Sequence, residues 1–125
     1  MTKKLILITD DEEYFCKLLK WNIEADPDYE CLIATTGTKG IELVKKDKPD
    51  LVLLDIRMPG VDGMETLKKI KRLNPQTPVA MVTAVWDPQE AKRCLEAGAY
   101  EYITKPVDFE HLKTVLLIKL FGNSK

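Results

Sequence analysis

The sequence predicts an α/β fold, a doubly wound five-stranded parallel sheet with strand order 2-1-3-4-5 and helices on both faces. Short apolar runs without period-two alternation, such as residues 51–54, indicate strands that are buried on both faces, as in parallel sheets. These runs alternate with longer segments of helical periodicity. Five strand–helix units fill the 125 residues, so residues 1–125 are expected to form a single domain.

The first half of the chain holds three strands and two helices. The strands predicted here are residues 5–9, 31–34 and 51–55. A first helix is predicted at about residues 12–25, and its inward residues are Phe15, Leu18, Leu19, Asn22 and Ile23. Asn22 is polar among these positions and is expected to have a hydrogen-bond partner. The second helix covers residues 37–46, where Gly40 permits a close approach to the sheet.

The second half repeats the same alternation. A third helix at residues 63–73 carries an apolar stripe made of Met64, Leu67, Ile70 and Leu73. Strand four follows at residues 78–83, and a fourth helix at residues 88–97 is stopped by Gly98. Strand five is predicted at residues 102–104. Asp108 then caps a last helix that reaches about residue 121.

Composition excludes several classes of function. The chain has 19 basic and 20 acidic residues, a net charge of -1, so no global field attracts nucleic acid or an anionic membrane. Cys16, Cys31 and Cys94 are odd in number and lie far apart, which argues against a disulfide framework or a zinc site. We expect them to pack as small apolar residues. The first apolar run is too short for a signal peptide or membrane span, so a cytoplasmic location is expected.

Acidic residues follow two of the predicted strands. Asp10 and Asp11 end strand one, and Asp55 ends strand three. With the order 2-1-3-4-5, strand order reverses between these two strands, where open sheets bind ligands. Two carboxylates about 4 Å apart repel by roughly 4 kcal/mol near a surface, so the cluster needs a proton or a cation. Oxygen ligands on an accessible edge suit Mg²⁺.

Simpler interpretations of these acids stay open. A lone Asp55 could start a loop by bonding its own backbone, and the acidic run at residues 10–13 could favour the positive end of the first helix. Strands four and five end in Thr83 and Lys105 at the same edge of the sheet. Thr83 could be an ordinary β-branched strand end, and Lys105 a solvated cation.

Five short motifs in register resemble a known family. They are, in chain order, Asp10-Asp11-Glu12, Asp55 followed by Met58-Pro59-Gly60, Thr83-Ala84, Gly98-Ala99 and Lys105-Pro106. In this order and spacing the chain resembles the receiver domain of two-component response regulators over about residues 4–120. The resemblance implies the flavodoxin-like form of the sheet and a phosphoacceptor protein that assists its own phosphorylation and dephosphorylation, not an enzyme.

The resemblance also implies roles for single residues. Asp55 would accept a phosphoryl group from a histidine kinase or a histidine phosphotransfer protein. Mg²⁺ would be held by Asp11, Asp55 and the main-chain carbonyl of Arg57, and by Asp10 mainly through water. Lys105, expected to precede Pro106 through a cis bond, would offset phosphoryl charge. Thr83 and Tyr102 would switch the face made by helix four, strand five and helix five.

Two other classes of function are less well supported. A carboxylate-nucleophile phosphatase or dehalogenase-like enzyme would need a second Asp two residues after Asp55, where Arg57 stands. A flavodoxin-like cofactor binder would need a glycine- or hydroxyl-rich phosphate loop after strand one, and the acidic residues 10–13 stand there instead.

The last helix has more apolar residues than one buried face requires. Its inward stripe is Phe109, Leu112, Val115 and Leu116. The additional apolar residues are Leu117, Ile118, Leu120 and Phe121. Such an excess predicts a partner surface, either for a downstream effector or output domain or for a phosphorylation-dependent homodimer.

Overall fold

A computed structural model describes residues 3–58 and 61–122, without the side chain of Val61. Its main strands are β1 (Lys4–Thr9), β2 (Tyr29–Ala34), β3 (Leu51–Asp55), β4 (Val79–Thr83) and β5 (Glu101–Thr104). Its helices are α1 (Glu13–Glu24), α2 (Gly37–Asp47), α3 (Gly63–Leu73), α4 (Pro88–Glu96) and α5 (Phe109–Phe121). None of these five described helices is long and apolar enough to cross a lipid bilayer.

The five strands form one parallel sheet in the order 2-1-3-4-5, which confirms the predicted topology. β1 pairs with both β2 and β3, so strand order reverses between β1 and β3 as expected. One element was not predicted, a two-residue antiparallel hairpin of Arg57–Met58 with Val61–Asp62. It follows directly after β3. Pro59 and Gly60, which belong to the motif after Asp55, lie outside the described residues.

Each face of the sheet has its own core. Against α1 and α5 the buried residues include Ile6, Ile8, Leu19, Leu53, Leu112 and Leu116. Against α2, α3 and α4 they include Leu7, Val44, Val52, Leu54, Leu67 and Ile70. Because neighbouring residues of a strand point to opposite faces, the continuous apolar run of β3 fills both cores, as the sequence predicted. The three cysteines are buried within these cores, which confirms that they pack as small apolar residues.

The inward face of α1 differs from the prediction. Leu18 is 39% exposed, whereas Cys16, Leu19 and Ile23 are buried. The predicted inward stripe of this helix contained Leu18 but not Cys16, whereas in the structure Cys16 lies on the buried face and Leu18 beside it. Asn22 lies at the side of the buried face and donates to the carbonyl of Leu18 at 2.9 Å, so its expected partner is the helix itself.

The last helix confirms part of the predicted apolar excess. Leu117 and Ile118 are 56% and 61% exposed. Leu120 and Phe121 instead pack against the core next to α1, and the ring of Phe121 meets Tyr29 edge-on with centroids 5.9 Å apart. The unburied excess is therefore two residues and not four.

Strand β2 lies at one edge of the sheet and begins two residues earlier than predicted. At this edge the backbone of Cys31 bonds to two side chains of α1. Lys20 donates to the Cys31 carbonyl at 2.7 Å, and Glu24 accepts from the Cys31 N–H at 2.8 Å. Lys20 and Glu24 also pair with each other at 2.7 Å. Both backbone groups of this edge residue therefore have partners.

Two glycines allow helices to approach the sheet closely. A Cβ at Gly40 would lie 2.9 Å from Thr9 Oγ1, which confirms the predicted role of this glycine. At Gly63 the neighbours are backbone atoms, since a Cβ there would overlap the carbonyl oxygen of Ile56 and lie 2.7 Å from that of Asp55. Gly63 therefore fixes the start of α3 against the loop that carries Asp55.

We predict that Gly63→Ala lowers the free energy of unfolding by about 1–3 kcal/mol, the usual range for overpacking. Alanine has a higher helix propensity than glycine, which is worth up to about 1 kcal/mol. The new methyl group, however, would overlap backbone atoms, which cannot move aside as a side chain can. Urea unfolding of wild type, Gly63→Ala and Gly40→Ala measures the loss in the free energy of unfolding for each variant. Gly40→Ala should lose less, because its neighbour is the side chain of Thr9. Equal losses would contradict this distinction.

Candidate functional site

The carboxyl ends of β1 and β3 bring three acidic side chains together. Asp10 and Asp55 are buried, with 1% and 5% exposure, and Asp11 is exposed. One oxygen from each of the three carboxylates lies within 4.8 Å of the others. The convergence predicted from the two strand ends is therefore present in the fold. Such a set of oxygen donors at an open edge fits a divalent cation such as Mg²⁺.

Each buried carboxylate also bonds its own loop. Asp10 Oδ1 accepts from the N–H of Glu12 at 2.9 Å, and Asp55 Oδ1 accepts from the N–H of Arg57 at 3.1 Å. The simpler interpretation of Asp55 as a loop-start residue is thus also correct. It concerns one oxygen of the carboxylate and leaves the other available. Asp10 Oδ2 is buried and forms no hydrogen bond of good geometry among the described residues, and its polar neighbour is the ammonium of Lys105 at 2.9 Å, so this oxygen suits a cation.

Lys105 is the cation already present at this site. Its Nζ lies 2.9 Å from Asp10 Oδ2, 2.9 Å from Glu12 Oε1 and 3.7 Å from Asp55 Oδ2. The contact with Asp10 is an ion pair whose angle falls short of a hydrogen bond. Nζ also lies 4.3 Å from the ring centroid of Phe15, and the side chain is 14% exposed. Lys105 is therefore not a solvated surface cation.

The charges at the site act on each other. Burial by itself lowers the pKa of Lys105, but its contacts with Asp10 and Glu12 outweigh burial and the pKa is raised. Burial raises the pKa of Asp55 from its ordinary 3.8 to about 6. The N–H of Arg57 and the Lys105 ammonium oppose this shift, while Asp10 and Asp11 add to it. One ammonium thus does not fully offset the burial of Asp55 and the charges of the two neighbouring carboxylates.

The open part of the site is a cleft of about 240 Å³ whose lining residues are Asp11, Glu12, Asp55, Arg57, Ala84 and Lys105. Thr83 ends β4 beside this cleft, but it is fully buried and does not line it. Its Oγ1 accepts a long hydrogen bond from the N–H of Val85 at 3.4 Å. The expectation that Thr83 ends its strand at this edge is correct, and its hydroxyl contacts the loop that follows it, whose Ala84 lines the cleft.

Tyr102 contacts the loop that follows Thr83. Its hydroxyl donates to the carbonyl of Val85 at 2.9 Å and lies 3.2 Å from Glu90 Oε1. Burial, and then the hydrogen bond to Glu90, raise the pKa of Tyr102 to about 12. Trp86 meets the tyrosine ring edge-on with centroids 5.5 Å apart. Glu90 also pairs with Arg57 at 3.3 Å.

Sequence reasoning gave no role to Glu12 or Glu90. Glu12 belongs to the first acidic motif, and its contact with Lys105 spans 93 positions of the chain. Glu90 stands in the first turn of α4, where an acid is favoured by the helix dipole whatever else it does. Its spacing gave no signal of a second role. The bond between Lys105 and Pro106 is cis, as expected.

Comparisons with known proteins agree on one family. The model of the response regulator receiver domain matches residues 6–117. The transcriptional regulatory protein ZraR of Escherichia coli is 39% identical over 111 residues, and PhoP of Bacillus subtilis, an alkaline phosphatase synthesis transcriptional regulatory protein, is 37% identical over 106. These matches cover 89% and 85% of this chain but only 25% and 43% of the relatives. The chain spans less than half the length of these relatives.

Solved structures show the same likeness. A CheY-like response regulator receiver domain protein from Methanospirillum hungatei JF-1 matches with a TM-score of 0.91 and 33% identity. That match covers 97% of this chain and 96% of the other. A two-component response regulator from Clostridium difficile matches with a TM-score of 0.92 and 27% identity, covering 98% and 100% of the two chains.

We predict that Asp55→Asn stabilises the metal-free protein at pH 7.5 by about 1–3 kcal/mol, since each unit of pKa shift corresponds to about 1.4 kcal/mol. Folded Asp55 keeps its proton up to about pH 6, whereas the unfolded chain releases it near 3.8. Between these values the folded state binds more protons, so stability falls as pH rises. We expect urea unfolding to give a smaller difference in the free energy of unfolding between wild type and Asp55→Asn at pH 4 than at pH 7.5. A gain independent of pH would contradict the raised pKa.

Proposed function

Because this chain belongs to the response regulator receiver domain family, we propose that Asp55 accepts a phosphoryl group from a histidine kinase or a histidine phosphotransfer protein. The observation that carries the proposal is the placement of Asp55 at the floor of a cleft, beside two other carboxylates and Lys105. Asp55 supplies the nucleophile, and its neighbours supply the charges that phosphoryl transfer requires.

The transfer reaction is a simple exchange of bonds. An Asp55 oxygen forms the new bond to phosphorus, while the bond from phosphorus to the donor imidazole nitrogen breaks and its electron pair stays on the nitrogen. The N–H of Arg57 holds Asp55 Oδ1, so Oδ2 is the oxygen free to attack. Oδ2 is also the oxygen nearest to Lys105, at 3.7 Å. The ammonium can then move from the carboxylates to the transferred oxygens.

Asp10, Asp11, Asp55 and the main-chain carbonyl of Arg57 are the proposed Mg²⁺ ligands, with Asp10 acting mainly through water. When bound, the ion would offset the negative charge of the phosphoryl oxygens. Burial raises the pKa of Asp55, and the charges of Asp10 and Asp11 add to that rise. This supports the assignment, because a site that disfavours a bare carboxylate favours either a proton or a bound cation.

We propose that Thr83 and Tyr102 transmit the phosphorylation. A phosphoryl group on Asp55 offers the Thr83 hydroxyl an acceptor, and the loop at Val85 moves with that hydroxyl. Tyr102 is bonded to the Val85 carbonyl, so it follows the loop. Full switching from 1:99 to 99:1 takes about 5.5 kcal/mol, which is several charge-assisted hydrogen bonds.

The proposed output surface is the face formed by α4, β5 and α5. Ile118 of α5 is exposed there and lines a cavity of about 320 Å³ between α5 and the start of β5. Apolar residues beside such a cavity fit a protein partner, either a downstream effector or output domain or a second copy of this chain. The buried free cysteines are consistent with a reducing compartment, and we propose a cytoplasmic location.

The phosphatase alternative gains no support from the geometry. That chemistry needs an acid two residues after the nucleophile. Arg57 occupies the position, and its guanidinium pairs with Glu90. We therefore propose a phosphoacceptor that promotes its own phosphorylation and dephosphorylation.

We predict that wild-type protein gains the mass of one phosphoryl group when incubated with Mg²⁺ and acetyl phosphate, whereas Asp55→Asn gains none. The reason is that Asp55 is the acceptor, and the amide that replaces its carboxylate has no nucleophilic oxygen anion. Intact mass spectrometry measures the product. Asp62→Asn, at an exposed acid in the hairpin after β3, is the matched control and should be labelled like wild type. Equal labelling of Asp55→Asn would refute the assignment.

We predict that a fluoroberyllate mimic of the phosphoryl group promotes self-association through the α4–β5–α5 face. Ile118→Glu should abolish the effect, because it places a charge in the apolar contact. Sedimentation velocity of both proteins, with and without the mimic, measures it. Thr38→Glu adds the same charge at an exposed position of α2 and should still associate. If wild type stays monomeric with the mimic, the homodimer proposal fails.

A further inference from the structure

Three side chains beside the cleft form a connected network. Arg57 Nη2 lies 3.4 and 3.3 Å from the two carboxylate oxygens of Glu90, and the Tyr102 hydroxyl lies 3.2 Å from Glu90 Oε1. Glu90 is the member in the middle. Its side chain is 13% exposed, against 53% for Arg57, so a nearly buried carboxylate depends on these two partners.

The network touches both loops of the proposed reaction. Arg57 comes two residues after Asp55 and donates its N–H to the Asp55 carboxylate. Tyr102 bonds the carbonyl of Val85, and the N–H of Val85 bonds the hydroxyl of Thr83. Glu90 therefore links the loop of the acceptor to the loop of the switch hydroxyl through side chains, in addition to the sheet itself.

The helix holds Glu90 in place. α4 begins with Asp87 as its N-cap, whose carboxylate accepts from the N–H groups of Gln89 and Glu90. Glu90 lies in the first turn, where the helix dipole favours negative charge. Arg57 is less restricted than Glu90. Its long, half-exposed side chain lines the cleft beside Asp55 and can change conformation without disturbing the core.

We propose that Glu90 is a positioning residue that holds the Arg57 guanidinium away from the acyl phosphate and couples it to Tyr102. This inference rests on the proposed phosphorylation of Asp55. A phosphoryl dianion on Asp55 competes with Glu90 for the guanidinium. When Arg57 turns to the phosphoryl oxygens, Glu90 loses its cation and attracts the Tyr102 proton more strongly. The hydroxyl, which has one proton for two acceptors, then shifts from Val85 toward Glu90.

The same competition sets the lifetime of the phosphorylated state. In hydrolysis a water oxygen forms a bond to phosphorus, the bond from phosphorus to the Asp55 oxygen breaks with its electron pair left on the carboxylate, and the water proton passes to solvent. A guanidinium bound to the phosphoryl oxygens occupies the open side of the cleft and hinders the approach of water. Glu90 shortens the lifetime because it draws Arg57 away.

Decay of the acyl phosphate tests the proposal. Protein labelled with Mg²⁺ and acetyl phosphate is freed of donor at pH 7.5, and loss of the phosphoryl mass is followed with time. Glu90→Gln should lengthen the half-life about three- to tenfold, since the amide keeps the shape but releases the guanidinium. Glu65→Gln, at the same helical position in the first turn of α3 and exposed, should leave the half-life unchanged.

The Arg57→Met background separates coupling from a merely structural role. There Glu90→Gln should have no effect on the half-life, because no guanidinium remains to be released. An unchanged half-life in Glu90→Gln alone, or equal lengthening with and without Arg57, would overturn the proposal.

A second readout is independent of phosphorylation. In a Trp21→Phe background Trp86 is the remaining tryptophan, and its ring packs on Tyr102. Arg57→Met should change Trp86 emission when Glu90 is present and leave it unchanged in Glu90→Gln. The same change in both backgrounds refutes the coupling. Failure of wild type to accept a phosphoryl group would instead refute the proposed function. The emission data would still show whether Glu90 couples Arg57 to Tyr102.

Discussion

The contact of Lys105 with the crowded carboxylates is the interaction on which the site depends. The ammonium lies between Asp10 and Glu12 from the β1 end and within 3.7 Å of Asp55 from the β3 end, although it belongs to the end of the last strand. Burying such acids without a cation would be strongly unfavourable. The strand order and the position of Phe15 under the ammonium both serve to keep this charge where the acids converge.

The surrounding fold supplies the space and the precision. Gly63 lets α3 begin against the backbone of Asp55 and Ile56, so the acceptor loop cannot move outward without moving a helix. On the other side, the N–H of Lys105 bonds the carbonyl of Thr83 at 2.7 Å and joins the ends of β4 and β5. The site is thus held by backbone contacts, whereas the side chains of Arg57 and Glu12 are 53% and 63% exposed.

Most of the fold could be predicted because its signals are local. Apolar runs, helical spacing and turn residues define the elements, and the topology of parallel sheets then brings Asp10, Asp11 and Asp55 together. What could not be predicted depends on distant partners. Leu18 is exposed because α1 is oriented with Cys16, and not Leu18, facing the sheet. The pairing of Arg57 with Glu90 spans 33 positions of the chain, and no spacing rule encodes such a contact. The burial of Thr83 likewise depends on the path of the loop that follows it.

The bonds between α1 and Cys31 bear on how this molecule meets other copies of itself. An edge strand with free N–H and C=O groups invites a strand from another chain, the first step toward swapped or fibrillar assemblies. At the centre of β2 both groups of Cys31 are already bonded by Lys20 and Glu24, and the two side chains project a charge pair over the edge. Growth of the sheet by strand addition is blocked there. A second copy of this chain would therefore have to bind through side-chain surfaces and not by adding a strand at this position.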